Sequence, residues 1–123
     1  MDLRQIDVLV HQHVMEVDLT GFDWPTGFRD RMVRETRDGD GIRVEWIDIP
    51  RYSSDMGRTW HVFKTAMKQT FSIRWQFFDA LERIVRARLG AEVAWPDLLR
   101  YIEPRDMCLA ALEAYGVEVP EDA

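Results

Sequence analysis

The chain predicts an α+β fold: a mainly helical single domain, residues 1–123, with four main helices and a small β-hairpin. Three observations predict it. Apolar residues recur at helical spacing in four separate stretches. Short polar residues, prolines and glycines bracket those stretches as start and stop signals. An Asp38-Gly-Asp-Gly41 run sits between two segments of strand composition. With 123 residues and 46% apolar content, the chain is long enough for one modest core.

The first helix is expected from Asp2, a good N-cap, to about Met15, with Leu3, Ile6, Leu9 or Val10, and Val14 on its apolar face. Residues 16–31 read as irregular, broken by Gly21, Pro25 and Gly27. Phe22, Trp24 and Phe28 are bulky for such a segment. They are expected to anchor it to the core; an exposed cluster would instead mark a partner site. Met32 to Arg37 and Ile42 to Ile49 form the arms of the hairpin, with Asp-Gly steps supplying positive φ at the turn. Ile42, Val44 and Trp46 alternate with Arg43, Glu45 and Ile47, as in a half-buried strand. Asp38 and Asp40, with Asp48, invite a calcium reading. The further ligands and closing glutamate of an EF-hand loop are missing, so a plain turn is preferred.

Ser54 or Asp55 caps a second helix over 55–68, with Met56, Trp60, Phe63 and Met67 on one face. Thr70 or Ser72 opens a third over 72–89. Trp75, Phe78, Leu81 or Glu82, Val85 and Leu89 follow its apolar spacing, with Phe71, Phe77 and Ile84 broadening that face; Arg74, Arg83, Arg86 and Arg88 take its polar remainder, and Gly90 ends it. A short helical piece begins at Trp95-Pro96-Asp97 and ends near Tyr101. The last helix spans 104–115: Pro104 suits the first turn, and Met107, Cys108, Ala111, Leu112 and Tyr115 form its stripe. Gly116 accepts the left-handed cap. Its small Ala110, Ala111 and Ala114 let a neighbour approach closely. The expected core is Trp60, Phe63, Trp75, Phe78, Leu81, Leu109 and Leu112, and residues 118–123 read as an acidic tail.

Net charge is −6, unevenly placed: residues 56–90 hold seven basic groups against two acidic ones, between acidic flanks. The simplest account pairs these basic helices with acidic neighbours. Aromatics interleaved with arginines can also stack on single-stranded nucleic acid, but burial of the aromatics opposes that, so direct nucleic-acid binding is not expected. The lone Cys108 excludes an intrachain disulfide, fits a reducing cytoplasm and falls on an apolar stripe, where it reads as a filler rather than a nucleophile. Residues 1–15 lack the apolar stretch of a secretory leader, and no run reaches membrane-spanning length. His11 and His13, two apart, face different sides of a helix, and nothing fixes His61 beside them. Ser53 or Ser54, Asp55 and His61 have the residue types of a hydrolase triad, but no nucleophile elbow supports it. Gly39-Asp-Gly41 lacks the lysine of a phosphate loop. No enzyme activity, metal or cofactor is therefore expected.

Three blocks carry a resemblance. Ile6-Asp7-x-Leu9-Val10 with Val14-Met15, then Pro50-x-Tyr52-Ser53-x-Asp55-Met56 with Trp60, then Pro104-x-Asp106-Met107-Cys108-Leu109-Ala110-Ala111-Leu112 with Gly116, together resemble the phage αβα-sandwich domain family. Typical members place two strands between the second and third blocks, where this chain has its helical 72–89 pattern. The resemblance implies a small phage or prophage protein of unknown function and supplies no catalytic residues. It leads to the expectation of a non-enzymatic accessory protein that binds a host or phage protein. Such a protein would inhibit a host defence system sterically or by imitating nucleic-acid charge. Alternatives are a self-assembling scaffold-associated protein, using the 22–28 segment and the hairpin, and a binder that sequesters a nucleotide through Arg83 and Arg86. Candidate binding residues are accordingly Phe22, Trp24, Phe28, Asp38, Asp40, Arg83 and Arg86.

Overall fold

The computed structural model describes residues 2–90 and 94–119. Of the 118–123 tail, residues 120–123 lie outside the described residues. Helix α1 (Leu3–Leu9) starts at Asp2, whose carboxylate accepts the Arg4 N–H at 2.8 Å. It continues as a π-helical segment, Val10–Val14, which closes at Glu16 with φ 57°. Strands β1 (Arg31–Asp38) and β2 (Gly41–Asp48) form an antiparallel hairpin, with Asp38 opposite Gly41 and Arg31 opposite Asp48. The turn falls on Gly39-Asp40 as the Asp-Gly run predicts, but without the expected positive φ. A Cβ at Gly39 or Gly41 would meet nothing within 4 Å, so glycine is tolerated there by open space rather than required by backbone geometry.

Helix α2 (Met56–Met67) is capped by Asp55, which accepts from Gly57 N–H at 2.8 Å and Arg58 N–H at 3.4 Å. After Thr70, which accepts the Ile73 N–H, helix α3 (Phe71–Leu89) ends at Gly90 with φ 68°. The short α4 (Trp95–Leu98) carries Pro96 in its first turn. Helix α5 (Pro104–Ala114) begins with Pro104 and a capping interaction in which the Glu103 N–H donates to Asp106 Oδ2 at 2.9 Å. It ends in a Schellman motif: Val117 N–H donates to the Leu112 carbonyl and Gly116 N–H to that of Glu113, with Gly116 at φ 74°.

The main core is built around α5. Its Ala110, Ala111 and Ala114 are buried and let α3 pack closely. Ile6, Val10, Val62, Phe77, Leu81, Val85, Leu98, Cys108 and Leu112 fill the interior. Leu81 and Leu112 are core residues as expected, and Phe63 and Leu109 are half-buried against it. Trp60, Trp75 and Phe78 are not core. Helical phase is the reason. Phe77, Ala80, Leu81 and Val85 hold the α3 face toward α5, and Thr59, Val62 and Ala66 hold that of α2, leaving the larger rings rotated away. An alanine-lined interface leaves no space for tryptophan between the helices.

A second cluster, Leu19, Met32 and Ile49, fixes the base of the hairpin, with Val8, Val17, Phe22, Trp24 and Ile47 packed around it. Phe22 and Trp24 thus anchor their segment, whereas Phe28 is exposed. Beyond this base the hairpin projects, and Ile42, Val44 and Trp46 lie open along one face of β2.

Candidate docking surface

The rings expected inside form one connected surface instead. On α2, Trp60 stacks on Phe63, with centroids 4.8 Å apart at 12°. Phe63 meets Phe77 and, edge-on at 6.4 Å, Phe78 of α3. Phe78 in turn meets Trp95 of α4 edge-on at 6.1 Å. One helical turn earlier, Phe71 stacks on Trp75 at 6.4 Å. Relative exposure is 48% for Trp60, 73% for Phe71 and 67% for Trp75. The spacing 71, 75, 78 is a true helical stripe, so the sequence pattern was sound; what it lacked was the rotational position of that stripe relative to α5.

The charges of the basic block divide into two groups. The arginines in the second half of α3 are neutralised internally: Arg83 by Glu113, Arg86 by Glu82, and Arg88 by Asp106 at 2.8 Å and Glu103 at 3.4 Å. Arg58, Lys64, Lys68 and Arg74 make no ion pair among the described residues. Unpaired cations thus lie on α2, at its C-cap and in the first turn of α3, and Asp79 and Glu82 lie farther along α3.

The other candidate residues are not brought together. Phe22 lies under the Arg34 guanidinium at 4.5 Å and Trp24 under that of Arg4 at 5.3 Å. Asp38 and Asp40 are exposed at the hairpin tip, far along the ribbon from its base. Arg83 and Arg86 sit on α3, Arg83 paired across to Glu113 of α5 and Arg86 to Glu82 of α3 itself. Among the described residues no group of three or more metal-ligating side chains converges. Ser53 is buried and donates to the Leu3 carbonyl at 3.0 Å, while Asp55 caps α2; neither forms a hydrogen bond with His61.

A small polar cluster lies where the π-helical segment Val10–Val14, α2 and α5 meet. His11 Nδ1 is 2.7 Å from the Tyr52 hydroxyl. Thr59 donates to the Tyr52 carbonyl, and its Oγ1 is 3.9 Å from Cys108 Sγ. Burial pushes both the Tyr52 hydroxyl and the Cys108 thiol up to about 12. The sulfur is thus a protonated filler at neutral pH, without the thiolate that nucleophilic chemistry needs. Burial also lowers the pKa of His11 below its ordinary 6.5, favouring a neutral ring in the hydrogen bond with Tyr52. Below pH 6.5 the unfolded chain gains a proton that the folded one resists, so stability is complete above that pH and falls as the medium is acidified. Urea midpoints measured from pH 7.5 to 5.5 should decline, and His11→Gln should flatten the decline; an equal slope in both proteins would remove His11 as its source.

No protein-family model, curated protein or solved structure matches the chain. No described helix is long and apolar enough to cross a membrane.

Proposed function

We propose that this is a non-enzymatic binding protein that docks a partner protein through the aromatic surface of α2 and α3. One observation carries the reading: Trp60, Phe71, Trp75 and Phe78 stand exposed on α2 and α3, Trp60 and Phe78 joined through the half-buried Phe63 and continuing to the half-buried Trp95, beside a core already filled by other side chains. Full burial of a large apolar side chain is worth roughly 1.5–3 kcal/mol, and the exposed part of each ring leaves a share of that free energy for a partner to recover on docking. Tryptophan is also the residue type most often dominant in such interfaces. A protein partner is preferred to nucleic acid because the chain is acidic overall, with net charge −6 and pI near 5.0. Imitation of nucleic-acid charge has less support, since many carboxylates, including Asp2, Asp30, Asp48, Glu45 and Glu113, face arginines of the same chain. The resemblance of three sequence blocks to a phage family makes a host or phage protein the partner to seek.

Capture from bacterial lysate tests this with matched baits. A partner retained by the parent protein should be lost with Trp60→Ala/Trp75→Ala and kept with the hairpin variant Val44→Lys. Equal retention by all three, or preferential retention of single-stranded DNA, would overturn the proposal.

Self-assembly is a second reading, favoured by the open column Ile42, Val44 and Trp46 on β2. Light scattering at high concentration decides it: a strict monomer ends that reading and leaves the first intact.

A further inference from the structure

We propose that the cleft where α3 meets α4 receives a side-chain cation, the ammonium of a lysine or the guanidinium of an arginine, from the docked partner. The proposal rests on the docking reading only for the source of the cation; the recognition chemistry stands on the cleft itself.

Trp75, Phe78 and Trp95 wall this cleft together with Asp79 and Glu82, enclosing about 100 Å³. The space suits the head of one side chain rather than a larger ligand. Aromatic faces carry the negative part of the ring quadrupole and attract cations, and Trp is the strongest of the three ring types. Two carboxylates lie at the same cleft, of which Asp79 carries the uncompensated negative charge. Glu82 engages Arg86, whereas Asp79 makes no ion pair among the described residues.

The rest of the molecule makes the contrast. Three other aromatic faces are covered by arginines of the chain itself: Trp24 by Arg4, Trp46 by Arg31 and Phe22 by Arg34, at 4.5–5.4 Å. No lysine or arginine among the described residues lies over Trp75, Phe78 or Trp95. The arrangement that the fold fills internally elsewhere is thus left without its cation at this cleft. Arg83, on the same helix, is held by Glu113 and Arg86 by Glu82; of the unpaired cations, Arg74 lies in the first turn of α3, Lys64 on α2 and Lys68 at its C-cap.

The test uses the full chain and a pair of probes of matched shape, N-acetyl-lysine methylamide and N-acetyl-norleucine methylamide. Indole N–H resonances of Trp75 and Trp95 are followed by NMR, with Trp46 as the internal reference. Lysine should give saturable shifts at Trp75 and Trp95 and none at Trp46, and norleucine much smaller ones. Asp79→Asn should weaken the lysine response about two- to five-fold, the range for an exposed charge pair, with Glu82→Gln as the second carboxylate variant. Equal response to norleucine would reduce the cleft to an apolar depression and overturn the proposal, as would the absence of shifts or indifference to both carboxylate variants. The two readings fail separately. Partner capture that depends on Trp60 and Trp75 without a lysine response sinks only the cation site. A lysine response without partner capture sinks only the docking reading.

Discussion

Arg4→Ala is expected to destabilise the protein by about 3–5 kcal/mol, the usual cost of removing one member of a buried ion pair. The Arg4 and Asp7 side chains are 8% and 1% exposed, and their charged atoms are 2.7 Å apart. The guanidinium also donates to the Arg29 carbonyl at 2.8 Å, to that of Asp30 at 3.4 Å and to that of Ile49 at 2.8 Å. Asp7 accepts the Ser53 N–H as well, at 2.8 Å. One side chain thus joins α1 to both ends of the hairpin, and its removal leaves a buried carboxylate short of its counter-charge and three carbonyls short of a donor. Urea unfolding followed by circular dichroism measures the loss. Hydrogen exchange should show the hairpin amides opening before those of α3 and α5. Because the two charges are coupled, Arg4→Met/Asp7→Asn should cost less than the sum of its single variants. A loss below about 1 kcal/mol for Arg4→Ala would mean that the hairpin is held by its small apolar base alone.

Phe77→Ala should cost a further large amount, about 3–5 kcal/mol, whereas Phe78→Ala should cost about 1 kcal/mol. The two residues are adjacent and chemically identical. Phe77 is fully buried against α5, and its removal leaves a cavity in an interface already lined by alanine. Phe78 is 36% exposed, and its truncation removes edge contacts with Phe63 and Trp95 over a surface that water reaches. Denaturant midpoints of the two variants compare them directly. Equal losses would place Phe78 in the core and remove the basis for the docking surface.

Much of the local structure was legible in the sequence because its signals are local. Asp55, Pro104, Gly90 and Gly116 act on backbone groups within a few residues of themselves, so their roles follow from position in the chain. Cys108 and the small Ala110, Ala111 and Ala114 were readable as close-packing residues for the same reason: volume is a property of the residue. The candidate site was much less legible. Trp60, Trp75 and Phe78 occur at good helical spacing, and spacing alone cannot tell a stripe that faces the core from one rotated beside it. Phe22 and Trp24 were readable as anchors, but the arginines that cover their faces come from other elements. Arg4 gave no signal at all, since its carbonyl partners lie 25, 26 and 45 positions away.

The amino-acid order by itself determined where four main helices and one hairpin begin and end, and that α5 would be the thin, closely approached element. Only the packing decided which face of each helix met it. A helix can turn about its axis without altering its hydrogen bonds, so the contest is settled by volume: alanine-lined α5 accepts Phe77, Leu81 and Val62 and leaves the indoles of Trp60 and Trp75 outside. The surface assigned to partner binding is the consequence of that selection.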